Sequence, residues 1–105
     1  VTTGHLLKPT SRDTLVQWMV DTTTGGKRLR AGLPAGWRAG NKTGTGRATG
    51  TTNKCNDVAI VYPPGNAPII VAAYYDSAEF TTQVEDRHQA VLAEVGRIAA
   101  DWAIT

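Results

Sequence analysis

Two apolar runs, Asp57-Val58-Ala59-Ile60-Val61-Tyr62 and Ile69-Ile70-Val71-Ala72-Ala73-Tyr74-Tyr75, are parted only by Pro63-Pro64-Gly65-Asn66-Ala67-Pro68. So short a connection cannot hold a parallel crossover, which takes roughly a dozen residues or more. The two runs must therefore be antiparallel neighbours, with Pro63 to Asn66 as their turn. Neither run alternates cleanly. Near-continuous apolarity predicts a sheet covered on both faces.

The flanks of this hairpin supply the rest of the architecture. A first helix is predicted near 10–21, capped by Thr10 or Ser11, with Asp13 near its first turn. Leu15, Trp18 and Met19 fall at helical spacing and form its expected buried stripe. Gly25-Gly26 ends it. Residues 27–36 read as connecting chain, with room for a short helical turn before Pro34. Trp37 to Thr43 reads as a further strand, and Gly44 to Asn53 as an extended hairpin loop. A last helix is expected from the capping-box pattern Thr82-x-x-Glu85, with Val91, Val95, Ile98 and Trp102 on one continuous face. The order helix, strand, strand, strand, helix makes an α+β fold, an antiparallel sheet flanked by helices, in one segment over 1–105.

Composition narrows the function. The chain has 105 residues, 41% of them hydrophobic, which suits a single domain with a core. The formal net charge is +2, and Lys27, Arg28 and Arg30 form the one tight basic cluster, too small for a nucleic-acid footprint. No run approaches the roughly 18 apolar residues of a membrane span. The opening Val1-Thr2-Thr3-Gly4 has no signal-peptide pattern, as expected of a removed leader or an internal start. Cys55 is the single cysteine and is expected to pack as a small apolar residue, with pairing to another chain the minority alternative. His5 and His88 lack zinc-ligand spacing, so neither metal nor cofactor is expected.

The segment with the most chemistry is Lys42-Thr43-Gly44-Thr45-Gly46. It puts an ammonium, two hydroxyls and a backbone free of side chains on one short edge, which suits a carboxylate beside a reactive carbonyl. A backbone N–H just past Gly44 is placed to meet a developing oxyanion. A phosphate-binding loop is excluded because Asn41 stands where a glycine must precede the lysine. Asn41-Lys42-Thr43 matches a glycosylation sequon, too short a pattern to carry weight. Arg28 and Arg30 are separated by one residue, so one can reach a site while the other braces a loop. Glu79, Glu85, Asp86, Glu94 and Asp101 read as surface or cap residues, and His88 as a half-buried helix-face histidine. The serines are Ser11 and Ser77, and neither sits in a nucleophile motif.

Leu33-Pro34-Ala35-Gly36-Trp37, ahead of Lys42-Thr43-Gly44-Thr45-Gly46, resembles the C-terminal part of class A serine β-lactamases. Ser11 to Met19, Asn56-Asp57, the Pro-Pro-Gly turn and the final helix match that family in order and spacing. The resemblance implies β-lactam hydrolysis by acylation and deacylation, in a periplasmic or secreted protein. It implies that Lys42 and Thr43 hold the substrate carboxylate, with Lys42 aiding proton transfer. It gives Thr45 a backbone oxyanion N–H, Arg28 a carboxylate-binding role and Arg30 a structural one. The Gly46–Cys55 loop is longer than in many members, which implies a wider site edge. The family's Ser-x-x-Lys nucleophile, Ser-Asp-Asn motif and deacylating Glu all precede this segment. The implied partner is thus an N-terminal complementary segment or chain carrying Ser-x-x-Lys, and this chain alone is expected to be inactive. A non-catalytic β-lactam- or anion-binding module and a piece of a penicillin-binding transpeptidase are the alternatives.

Overall fold

The computed structural model describes residues 4–46, 53–77, 81 and 83–105. In chain order these form α1 (Pro9–Asp21), a 3-10 turn (Leu29–Gly32), β1 (Arg38–Gly46), β2 (Lys54–Tyr62), β3 (Ile69–Asp76) and α2 (Asp86–Ala103). The strands make one sheet of order β1-β2-β3, antiparallel throughout. The turn between β2 and β3 closes with Asn66 N–H on the Pro63 carbonyl at 3.2 Å. Gly65 supplies the positive φ of 73° that this tight turn needs at its third residue.

Register assigns the faces, because side chains alternate along a strand. Ala39, Asn41, Thr43 and Thr45 share a face with Cys55, Asp57, Ala59 and Val61, and with Ile69, Val71, Ala73 and Tyr75. This face receives the 3-10 turn and α2 and holds the core of Leu29, Ala39, Cys55, Ala59, Val61, Ala73 and Leu92. Leu29 is 1% exposed; burying a side chain of that size stabilises the fold by about 1.5–3 kcal/mol. Trp37, Leu33 and Val95 pack around this core.

Several expectations need correction. The sheet is not covered on both faces. β3 alternates, and its outer residues Ile70 and Tyr74 are 49% and 77% exposed. The second face is covered at β1, where α1 packs, and at Ile60 of β2, which is 1% exposed beside Gly40, but it is open along β3. A Cβ on Gly40 would lie 2.8 Å from the Met19 Cβ and the Val20 nitrogen, so the strand must be bare there for α1 to sit. In α1 it is Val16 that is buried, while Trp18 is 69% exposed on the outer flank. The helix starts with Pro9 at its first positions and Lys8 as N-cap, without the side-chain cap expected of Thr10 or Ser11. It ends at Asp21, as the 10–21 span expects, so the stop comes ahead of Gly25-Gly26. β1 runs on to Gly46, so Gly44 to Gly46 belong to the strand rather than to a loop, and residues 47–52 lie outside the described ones.

The stripe of α2 is also corrected. Its buried residues are His88, Leu92, Gly96 and Ala100, whereas Val91, Ile98 and Trp102 are 37%, 55% and 70% exposed. The cause is the 3-10 turn. A Cβ on Gly96 would stand 2.1 Å from the Leu29 carbonyl oxygen, so α2 presents its barest face to that turn. The helix begins at Asp86 with Glu85 as N-cap, and the capping box is Glu85 with His88. The expected box from Thr82 involves a residue outside the described ones. Gly96→Ala should cost about 1–3 kcal/mol through overpacking, measured by urea unfolding of the full-length protein; alanine is the better helix former by about 1 kcal/mol, so propensity works against the loss and a variant as stable as the parent would remove the close contact.

Candidate functional site

Among the described residues β1 pairs on one side only, with β2, and no described strand adjoins its other edge along Lys42 to Gly46. Register sets Lys42 and Gly44 on the α1 face, and Thr43 and Thr45 on the α2 face. The expected cation and hydroxyls thus share one sheet edge rather than one face. Lys42 is exposed and its Nζ donates to the Thr43 carbonyl at 2.8 Å. It borders a hollow of about 190 Å³ with Leu15, Trp18, Met19, Thr22 and Asn41. Exposed Trp18 therefore lies beside the lysine rather than in the core.

Arg28 is on the other side of the edge, 6% exposed. Its Nη2 donates to Thr45 Oγ1 at 2.8 Å, its Nη1 to the carbonyls of Asn56 at 2.7 Å and Gly44 at 3.2 Å, and its Nε to Gln89 Oε1 at 3.1 Å. One planar guanidinium thus ties α2, β2 and β1 together, which lysine could not do from a single point. Since Thr45 Oγ1 accepts from Arg28, its own O–H is left to donate elsewhere. Arg30 turns inward instead, donating from Nη1 to Asn41 Oδ1 at 3.1 Å.

Beneath Lys42 lies a polar group that sequence reading did not single out. Asn41 and Asp57 are 1% and 0% exposed. Asn41 Nδ2 donates to Asp57 Oδ1 at 3.0 Å, and the Leu29 N–H donates to Asp57 Oδ2 at 3.2 Å. Burial pushes the Asp57 carboxyl up, opposed by the hydrogen bonds from Asn41 and Leu29 and by the Arg28 charge. The signal available in the sequence was an acid opening an otherwise apolar strand. Asn53 is a second such residue, fully buried and donating to the Thr81 carbonyl at 3.2 Å and its Oγ1 at 2.6 Å. It anchors the start of β2 to the segment after β3.

Cys55 is fully buried opposite Thr45, and burial raises its thiol pKa, so it is an inert core group. His88 is 2% exposed, closes the α2 capping box and tilts against Tyr75 at 6.4 Å between ring centroids. Asp86 pairs with Lys27 at 3.0 Å and Asp101 with Arg97 at 2.9 Å on the surface. Glu94 also pairs with Arg97, whose hydrogen bonds lower the carboxyl pKa. Glu79 lies outside the described residues. Among those described, no helix is long and apolar enough to cross a membrane.

The model of the beta-lactamase enzyme family matches residues 1–103. Beta-lactamase CTX-M-25 of Escherichia coli is 41% identical over 101 residues, covering 96% of this chain and 32% of the relative. Beta-lactamase AST-1 of Nocardia asteroides is 43% identical over 98 residues, 93% of this chain and 29% of the relative. Among solved structures, an ancestral class A beta-lactamase superposes with a TM-score of 0.83 at 48% identity, over 96% of this chain and 36% of that one. The chain spans about a third of the length of the curated relatives it matches.

Proposed function

This chain belongs to the beta-lactamase enzyme family, and from that membership we propose that it is the C-terminal portion of a class A serine β-lactamase, supplying the substrate-binding edge of an active site completed by an N-terminal segment. In the proposed reaction a serine Oγ outside this chain attacks the β-lactam carbonyl. The ring C–N bond breaks, the ring nitrogen takes a proton, and water then hydrolyses the acyl ester to regenerate the serine. Localisation in the periplasm or outside the cell is part of the same reading.

The observation that carries it is the open edge at Lys42 to Thr45 with Arg28 anchored behind Thr45. Lys42 gives the counter-charge for the substrate carboxylate, with Thr43 beside it on the edge. Thr45 donates its free hydroxyl proton to the same anion, because Arg28 occupies its oxygen, and its backbone N–H serves as one oxyanion donor. Arg28 adds positive potential from within, its guanidinium being spent largely on positioning. Lys42 sits beside the ring nitrogen in this arrangement and eases proton transfer electrostatically.

The uncovered surfaces support a missing complement. Ile69, Ile70, Val71, Val95, Ile98, Ala99 and Trp102 line an open apolar groove of about 410 Å³ between β3 and α2. A free strand edge beside such a groove is an association liability unless another segment covers it. The reading is tested by mixing this chain with an N-terminal segment bearing Ser-x-x-Lys and following a chromogenic cephalosporin. Hydrolysis is expected from the pair and from neither part alone. A folded pair that leaves the cephalosporin intact overturns the reading.

A further inference from the structure

We propose that the buried Asn41–Asp57 pair, one amide against one carboxylate, is the positioning device that sets the substrate-binding edge of β1 against the arginine-bearing 3-10 turn. Asp57 is the one buried carboxylate among the described residues. A carboxylate in a core costs more than an apolar pair of the same volume, so core filling alone does not account for it. Apart from the N–H of Val58, its neighbour in the chain, the hydrogen bonds to its carboxylate lead to the candidate site. Asn41 immediately precedes Lys42, and the Cα partner of Asp57 across the ladder is Thr43. Leu29, whose N–H Asp57 accepts, lies between Arg28 and Arg30 in the chain. Arg30 donates to the side-chain oxygen of Asn41, at 3.1 Å. Asn41 Nδ2 also lies 3.4 Å from the Thr24 carbonyl.

Gly25 closes the pair from outside. Its φ is +79°, and a Cβ there would stand 2.1 Å from Asn41 Nδ2. The arrangement of donors fixes the Asn41 amide, since its oxygen meets Arg30 and its nitrogen meets Asp57. The site edge and the turn can slide only by breaking these buried bonds. The charged and titratable groups that reach the pair are Arg28, acting on the carboxylate, Arg30 of the turn, bonded to the Asn41 oxygen, and Cys55 on β2, which feels the Asp57 charge. Arg28 acts on it favourably through space.

Substituting the pair in the full-length protein separates positioning from packing. In Asp57→Asn the new amide can accept from Asn41 or from Leu29 but must face the other donor with its own NH2. We expect KM for a carboxylate-bearing cephalosporin to rise roughly fivefold, the size of one lost hydrogen bond, with kcat less changed. Amide exchange of residues 42–45 should quicken relative to α2. The exchanged pair Asn41→Asp/Asp57→Asn restores one carboxylate and one amide. The carboxylate, now on β1, accepts from Arg30 and from the amide NH2, now on β2, while the amide oxygen accepts from Leu29. Its KM and exchange should recover most of the loss, stopping short of the parent because a carboxylate oxygen now faces the Thr24 carbonyl where Asn41 Nδ2 donated.

Asn41→Asp alone conserves volume and guards against misfolding of the other variants. Its two carboxyls share one proton at acidic pH, so KM stays near the parent value, and KM climbs with rising pH as that proton leaves. A purely structural role would lower the active fraction and the melting temperature while leaving KM of the folded molecules flat across pH. Asp57→Asn with parental KM and exchange overturns the inference, as does a folded exchanged pair no better than Asp57→Asn, or a flat KM profile for Asn41→Asp. The KM readout rests on the β-lactam reading, whereas amide exchange does not. A parent protein that hydrolyses no β-lactam overturns the functional reading alone.

Discussion

Lys42→Ala in the full-length protein should lower kcat/KM for carboxylate-bearing β-lactams by roughly two orders of magnitude, ~2.7 kcal/mol, within the range for truncating one partner of a desolvated charge pair. The loss should fall mainly on KM, since the ammonium meets the carboxylate already in the bound substrate. Stability should barely move, within about 0.5 kcal/mol. Lys42 is exposed and its one hydrogen bond is to the adjacent Thr43 carbonyl. The control is chemical: against a β-lactam whose carboxylate is esterified, Lys42→Ala should lose far less than it does on the acid, keeping only the smaller penalty from its electrostatic help to proton transfer. A variant within about threefold of the parent on the acid substrate would remove the lysine from the site, and an equal penalty on acid and ester would remove its carboxylate role.

Much of this was readable because it is written locally. The short Pro63–Pro68 link forces the β2–β3 hairpin whatever surrounds it, and the structure has that hairpin with Gly65 in the turn. The turn before Pro34 and the strand carrying Lys42 are likewise where the sequence puts them. What local pattern misjudged was which face of a helix meets the rest. On α2, Val91, Val95, Ile98 and Trp102 form the more apolar stripe, yet the face against the 3-10 turn runs through His88, Leu92, Gly96 and Ala100. Hydrophobic periodicity ranks faces by apolar content, but the contact here is decided by backbone approach at Gly96, to which apolar content is blind. Trp18 failed for the same reason, since α1 meets β1 over bare Gly40. At the site, the edge residues were legible from their chemistry. Asn41 and Asp57 were not, because their significance lies in a pairing across β1 and β2 that only register reveals.

Arg28→Ala is expected to be the most damaging single substitution in the region, at about 3–5 kcal/mol of stability, out of a typical total of roughly 5–15 kcal/mol. Removing the guanidinium leaves the Gly44 and Asn56 carbonyls, Gln89 Oε1 and Thr45 Oγ1 without the one donor that ties them together, and empties a side chain that is 6% exposed. Arg28→Lys should keep the fold but serve fewer of these acceptors from one point, so Thr45 loses its orientation and kcat/KM falls by about tenfold. The pH dependence has a definite sign. Burial holds the Asp57 carboxyl above its unfolded value, and Arg28 is one of the influences pulling it back down. The native state therefore binds that proton more tightly than the unfolded chain. Its contribution to stability is full below the unfolded pKa and is lost as pH rises through the folded one. Without Arg28 the folded pKa climbs further, so the Asp57-linked loss grows and extends to higher pH. Urea unfolding of the full-length parent and of Arg28→Lys and Arg28→Ala across an acid-to-neutral series measures this directly. The gap between parent and Arg28→Ala should widen as pH rises, with Asp57→Asn in both backgrounds abolishing the widening; a gap that stays constant with pH would show that Asp57 does not feel the arginine.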